Sequence, residues 1–273
     1  MHLTDALKVI LGENYVKADS ESVSYSSPMN YSESKFSPYA GITYNFTPKY
    51  TGYMSYTSIF RPQPSVDEST GQVDDPIDGK SYEIGVKSAW LDNQLTGSIA
   101  IFRTEENNYP LRSSDGNPLN RKVGISDLRS QGIEVDLSGQ LTKNINLTVG
   151  YTQCSLRDLK NGGQARTYNP NQTFNLLTTY TPEALPKLKL GAGLKWQGKI
   201  YRLDENFGTK VRQDAYALLN LMASYEITPN LTIQANGDNI TDEKYLNSFN
   251  DGQAFYGEPA KYTVALKFKY WFI

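Results

Sequence analysis

The sequence predicts an all-β protein, an antiparallel up-and-down transmembrane β-barrel of about twelve strands. Three observations carry that expectation. Apolar and polar residues alternate in ribbons of about ten residues, short turns alternate with long polar connections, and aromatic residues gather at ribbon ends. Each follows when hydrocarbon touches one face of a sheet and water the other.

The ribbons lie near residues 6–17, 36–46, 51–60, 81–91, 94–105, 131–141, 145–156, 173–181, 187–199, 216–227, 230–240 and 259–272. In the fourth, Tyr82, Ile84, Val86 and Trp90 oppose Glu83, Gly85, Lys87 and Ala89. In the seventh, Ile145, Leu147, Val149 and Tyr151 oppose Asn146, Thr148, Gly150 and Thr152. In the ninth, Leu188, Leu190, Ala192, Leu194 and Trp196 oppose Lys189, Gly191, Gly193, Lys195 and Gln197. The last is the clearest: Tyr262, Val264, Leu266, Phe268, Tyr270 and Phe272 share a face against Lys261, Thr263, Lys267 and Lys269. A strand tilted about 45° through a ~25 Å apolar band needs roughly ten residues, whereas soluble strands average about five or six. The lengths favour a membrane barrel.

Short turns fall at Thr47-Pro48-Lys49, Leu91-Asp92-Asn93, Thr142-Lys143-Asn144, Thr181 to Pro186 and Thr228-Pro229-Asn230. Long polar stretches near 18–35, 61–80, 106–130, 157–172, 200–215 and 241–258 separate them. Periplasmic turns and extracellular loops produce this strict alternation; Greek-key connections do not. Tyr44, Phe46, Trp90, Tyr180, Tyr225, Tyr270 and Phe272 lie beside the short turns on the apolar parity, and Tyr151 and Trp196 lie at the opposite ends. Two interfacial girdles look like this.

Composition excludes more than it selects. No apolar run reaches the 18 or so residues of a membrane helix, and the mean hydropathy is negative, as expected of a barrel whose alternate residues face water. A net charge of -2 gives no reason to expect nucleic acid. One cysteine, Cys154, excludes an internal disulfide framework and a multi-cysteine metal site. His2 is the only histidine, at the extreme terminus, so a histidine general base at the outer loops is not available. No catalytic residue, P-loop or metal-binding helix motif is found, and the expected answer on catalysis is negative. The Asn-x-Thr triplets at Asn146, Asn171, Asn230 and Asn239 read as chance in Asn- and Thr-rich strand ends. The first eleven residues lack a basic lead and read as a strand, so no export signal is expected within the chain.

Six stretches, in order, carry a resemblance. They are Phe36 to Tyr44, Tyr53 to Gln63, Lys80 to Lys87 followed by Leu95 to Arg103, Gln131 to Asp136, Asp238 to Tyr245, and Phe255 to Pro259. Together they resemble the C-terminal half of the TonB-dependent ferric-siderophore receptors of the bacterial outer membrane. The Arg-Pro-Gln and Tyr-Gly-Glu-Pro elements look closest to receptors for hydroxamate siderophores of the coprogen and rhodotorulic acid kind, or for pyoverdine-like ones. The resemblance implies that residues 1–273 form the C-terminal portion of a 22-stranded barrel, without its plug and TonB box. It also implies ferric siderophore as ligand, TonB as a partner through the absent plug, outer-membrane lipid around the wall, and the barrel-assembly machinery as reader of the last strand. Iron enters as cargo, and no cofactor is expected. Family members usually end on the last strand's aromatic, whereas Ile273 follows Phe272 here.

Two alternatives stay open at this point: a self-contained 12-stranded pore, which needs residues 6–17 to pair with 259–272, and a soluble β-sandwich binding module. Open edges matter here, because each would leave on the order of five to ten backbone groups unpaired in lipid at several kcal/mol apiece. A protein with ~5–15 kcal/mol of total stability does not bear that. The segment therefore pairs with further strands, closes on itself, or fails to insert, and alone it is not expected to transport.

For ligand contact, aromatics and arginines share the long connections: Tyr109 and Arg112, Arg166 and Tyr168, Tyr201 and Arg202, Phe207, Phe249, Phe255 and Tyr256. Rigid aromatic faces and guanidinium donors suit a bulky, polar, often anionic ligand. Glu83 with Lys87, and Glu134 with Asp136, take the opposite parity and are expected to line the lumen.

Overall fold

The computed structural model describes residues 4–24, 27–63, 75–112, 123–204, 208–250 and 253–269. Every regular element among these residues is a β-strand. No helix is long and apolar enough to cross a membrane, which bears only on helical spans.

Twelve strands form one antiparallel sheet in chain order: β1 (Leu7–Ser24), β2 (Ser27–Thr47), β3 (Tyr50–Arg61), β4 (Ile77–Trp90), β5 (Leu95–Arg112), β6 (Val123–Thr142), β7 (Ile145–Asp158), β8 (Gln172–Tyr180), β9 (Leu188–Gln197), β12 (Tyr216–Thr228), β13 (Leu231–Asp238) and β16 (Lys261–Phe268). Two small hairpins, β10 (Ile200–Asp204) with β11 (Thr209–Gln213) and β14 (Leu246–Asn250) with β15 (Gln253–Tyr256), stand in the last two long connections. All twelve predicted ribbons are strands of the sheet.

Three of the five short turns share one local device. Thr47 Oγ1 accepts from the amides of Lys49 and Tyr50 at 3.2 Å each. Thr142 Oγ1 accepts from Asn144 at 3.3 Å, and Thr228 Oγ1 from Asn230 and Leu231 at 3.3 and 3.1 Å. At each of these turns the register slips just before the threonine. The hydroxyl thus satisfies turn amides that the ladder leaves over, at the point where a bulge sharpens the bend. Between β4 and β5 the chain turns instead through Leu91, Asp92 and Asn93, all left-handed, with φ of 54°, 54° and 68°.

Cross-strand partners share a face. One row runs Leu7, Tyr44, Gly52, Val86, Ile99, Val135, Tyr151, Phe174, Trp196, Ala217 across ten strands. Nearly every member is apolar, and those on the wall stand open: Tyr44 is 46% exposed and Ile99 48%. On the last strand Val264 and Leu266 are 72% and 69% exposed. Apolar side chains exposed in such a continuous band need a hydrocarbon solvent, not water. No second sheet packs against the twelve-stranded one among the described residues, so a sandwich is not what folds.

That row also climbs. Gly52 stands two residues from the short-turn end of β3 at Tyr50, and Ala217 eleven from that of β12 at Thr228. Progressive stagger is the register of tilted barrel strands.

The girdle beside the short turns is built as expected. Tyr44 and Phe46 meet edge to face at 5.3 Å, as do Tyr50 and Trp90 at 6.3 Å, where Trp90 Nε1 donates to Tyr50 Oη at 3.2 Å. Tyr270 and Phe272 lie outside the described residues, as does His2.

Two expectations need correction. Segments 18–35 and 106–130, read as loops, are largely strand: β2 has 21 residues and β6 has 20. Such strands run roughly 65–70 Å, well past any apolar band, and beyond it the backbone still pairs although nothing selects an apolar face. The self-contained pore is the second. Among the described residues β1 pairs only with β2 and β16 only with β13, so the sheet is open.

The lumen face carries the polar set. Tyr53 donates to Glu83, and Lys87 Nζ lies 4.8 Å from the Tyr53 ring centroid. Gly85 must be glycine here, because a Cβ would stand 2.7 Å from that ring.

Candidate functional site

The long-loop end gathers most of the predicted ligand residues into two aromatic–guanidinium clusters. The first is centred on Tyr109 in β5. Arg61, the last residue of β3, has its guanidinium carbon 5.8 Å from the ring centroid, and Arg166 has its own at 4.7 Å. Arg166 also donates to the Tyr109 hydroxyl. Arg61 has the lumen parity of β3, opposite to Met54 and Tyr56, and faces Glu106 at 3.9 Å. Arg166 reaches inward from a left-handed loop position with φ 48°, closed by a 3.0 Å-class turn in which Asn169 donates to its carbonyl at 2.9 Å.

The second cluster ties three long connections together. Thr167 and Tyr201 exchange two bonds, Tyr201 N to Thr167 O at 3.0 Å and Thr167 Oγ1 to Tyr201 O at 2.7 Å. Arg202 covers the Tyr168 ring at 5.4 Å and donates to the carbonyl of buried Phe249 at 3.4 Å. Lys210 Nζ sits 3.8 Å from the Tyr201 centroid. Among these contacts four cations meet one carboxylate, Glu106, so the local field favours an anion.

The remaining candidates fare differently. Phe255 and Tyr256 are on β15 but stand away from both clusters, 51% and 80% exposed. Arg112 ends β5 opposite Val123, and its side chain lies outside the described residues. Phe207 lies outside them altogether. Sequence reasoning passed over Arg61 and Lys210 as ligand candidates. Arg61 ends a strand, and its partner Tyr109 is remote in sequence, so no local signal marks it; Lys210 lay within a recognised loop beside Tyr201.

The clusters rest on buried polar anchors. Asn239, read from sequence as a chance triplet, is 4% exposed. Its Oδ1 accepts from Glu243 N at 2.9 Å, and its Nδ2 donates to the carbonyls of Glu243 and Glu258 at 3.0 and 3.1 Å. Nearby, Tyr216 and Tyr245 stack at 4.4 Å, with Gly257 directly against the Tyr245 ring. The Asp238 to Tyr245 motif therefore holds the base of the last loop.

Asp158 does the same for the β7–β8 loop. Burial would push its carboxyl up, but bonds from Ser126, from Asn161 and from the Lys160 amide outweigh that and hold it below its ordinary 3.8. A depressed folded value means the stabilisation is present above the unfolded value and lost as pH falls through the folded one. Protease cutting within residues 159–171 is therefore expected to rise only below about pH 4, and Asp158→Asn to remove that pH dependence. A pH-independent wild-type cutting profile overturns this.

No group of three or more His, Cys, Asp or Glu side chains able to hold a metal occurs among the described residues. The arrangement is one for binding an anion between aromatic faces.

Comparison with known proteins agrees with this geometry. A family model described as TonB dependent receptor-like, beta-barrel, matches residues 1–240. The chain is 33% identical over 272 residues to the ferripyoverdine receptor of Pseudomonas aeruginosa, covering 94% of this chain and 33% of that protein. It is 33% identical over 238 residues to the ferric-pyoverdine 358 receptor of Pseudomonas putida, covering 85% and 29%. The solved pyoverdine outer membrane receptor FpvA of P. aeruginosa, bound to pyoverdine, superposes with a TM-score of 0.89 at 31% identity, over 98% of this chain and 40% of that one. The chain thus spans about a third of the length of the curated relatives it matches.

Proposed function

Because the chain belongs to the TonB-dependent receptor-like β-barrel family, whose members are outer-membrane receptors, we propose that it supplies barrel wall and outer ligand loops to a receptor for ferric siderophores. Residues 1–273 act in this reading as one barrel portion, inactive in transport without the rest of the barrel and a plug. The observation that carries the reading is the Tyr109 ring held between Arg61 and Arg166 at the lumen side of the outer end. A planar aromatic face framed by guanidinium groups suits a bulky anionic chelate, and the pyoverdine class named for the relatives is the first to test.

Uptake in this scheme is transport without chemical conversion. Iron is cargo inside its chelate, so the protein needs no cofactor and no catalytic residue. The lumen set of Glu83, Lys87, Tyr53 and Glu134 would face a plug, and TonB would act through that plug. Tyr168, Tyr201, Arg202 and Phe249 would complete the binding surface beside Tyr109 and Arg166, with Arg112, Phe207, Phe255 and Tyr256 as further loop contacts.

The test uses the complete receptor with Arg61→Ala and Arg166→Ala, separately and together, and ferric pyoverdine binding followed by fluorescence quenching. Each guanidinium lost is expected to weaken binding roughly tenfold, from hydrogen bonds to a charged group worth ~1.5–3 kcal/mol. Unchanged affinity in the double variant would remove the cluster from the site.

A further inference from the structure

On the outward face, the apolar wall ends in a basic row. Register places Lys80, Glu105, Arg129 and Arg157 side by side across β4 to β7. Their parity is that of Tyr82, Ile84 and Val86, which face hydrocarbon. Arg103 stands one outward position below, opposite Tyr82. Glu105 is the single carboxylate among these five, and it accepts from Arg103 Nε at 3.0 Å and Arg129 Nε at 2.7 Å. The next rows return to balance, with Lys35 on Asp78 at 2.9 Å and Lys160 near Asp127 at 4.0 Å.

The height of the row is informative. Lys80 is ten residues from Trp90 of the lower girdle. At ~3.3 Å per residue and a tilt of about 40°, ten residues rise about 25 Å, the height of the apolar band. The cationic excess therefore lies at the level of outer-leaflet headgroups, not in the middle of a solvated loop.

A second observation lies directly beneath it. The outward wall has a groove of about 430 Å³ walled by Ile42, Met54, Ile84 and Ile101, with the Tyr56–Tyr82 pair above and Arg103 at its mouth. Small Ala40 opens that groove. An apolar trough leading up to a net positive row matches one kind of occupant, a lipid with an acyl chain below and an anionic phosphate above.

We propose that this face holds a phosphorylated outer-leaflet lipid, its chain in the Met54 groove and its phosphate on Arg103, Arg129 and Lys80, with Arg157 flanking. The inference rests on the outer-membrane orientation proposed above but not on the cargo. A receptor that retains the lipid and ignores ferric siderophore sinks the uptake reading alone.

The test is native mass spectrometry of the complete receptor in mild detergent, with three probes: a diphosphorylated outer-leaflet glycolipid, the same lipid dephosphorylated, and inorganic phosphate. Wild type is expected to prefer the phosphorylated lipid by about tenfold, a difference that Lys80→Gln, Arg103→Gln and Arg129→Gln together abolish. Ala40→Trp fills the groove without altering charge and is expected to lower retention of both lipids. Heat-modifiable gel mobility reports whether each variant is folded. Equal retention of the two lipids by folded wild type overturns the proposal, as does a folded triple variant that keeps the preference. Displacement of the lipid by millimolar inorganic phosphate would reassign the row to free anions and overturn it as well.

Discussion

Ile99→Arg is expected to destabilise the assembled barrel by about 2–4 kcal/mol, the range for arginine near the bilayer midplane, while Ser98→Arg is close to neutral. The two positions are adjacent in β5, yet they meet different solvents. Ile99 lies between Val86 and Val135 on the outward face, four residues above the short turn. Ser98 lies between Lys87 and Asp136 on the lumen face, so the new guanidinium would stand opposite a carboxylate. Urea unfolding of the complete receptor in lipid vesicles separates the two. Equal losses, or a larger loss at Ser98, would mean that the assignment of hydrocarbon and water to the two faces is wrong.

The second large effect is expected at Asn239. Its side chain makes three bonds to loop backbone in a buried setting, and its own amide donates to Asn220 Oδ1 at 2.8 Å. Asn239→Ala leaves buried groups of Glu243 and Glu258 unsatisfied, at ~1–3 kcal/mol for each group not rescued by water. Alanine also meets a backbone φ of 47°, where asparagine is tolerated and other L-residues are strained by roughly 1–2 kcal/mol. A total near 3 kcal/mol is expected, read as loss of amide-exchange protection from Asn239 to Gly257 while the wall strands keep theirs. Asn239→Asp keeps the acceptor for the Glu243 amide and loses both donors, so it should fall between. Protection unchanged in Asn239→Ala would show that the loop base is held elsewhere, with the Tyr216–Tyr245 stack the next to test.

The two effects bear on function at different levels. The first concerns the solvent that the wall faces, on which insertion depends. The second concerns the platform carrying Phe249, whose carbonyl receives Arg202 of the second aromatic cluster. A loosened Asn239 clamp should weaken ligand binding indirectly, without touching the Arg61–Tyr109–Arg166 group.

Residues 259–272 and residues 18–35 show how far the sequence could be read. In the former, Val264, Leu266 and Phe268 alternate with lysine and threonine because lipid and water demand it, and the strand is plain. In the latter, Ser20, Glu21 and Ser32 obey no such alternation, yet the backbone pairs from Ser24 with Ser27 all the way to Leu7 with Tyr44. Beyond the membrane, main-chain hydrogen bonding still extends strands, and side-chain patterning no longer reports it. The candidate site divides in the same way. Tyr109 and Arg166, or Tyr168 and Arg202, were visible as aromatic and cationic residues in loops. That Arg61 joins the former and Thr167 ties Tyr201 to its loop follows from contacts across separate connections.

Alternation of side-chain chemistry, the threonine turns and the spacing of connections were enough to determine twelve strands, their order and the face that meets hydrocarbon. Those are local properties, set by a two-residue period and by turns of a few residues, and they are written in consecutive positions. Tertiary structure alone decided how far the strands project, that the twelve-stranded sheet stands open, and which loop residues converge. Those outcomes depend on stagger accumulated across many strands and on contacts between segments distant in the chain, and no window of sequence holds either.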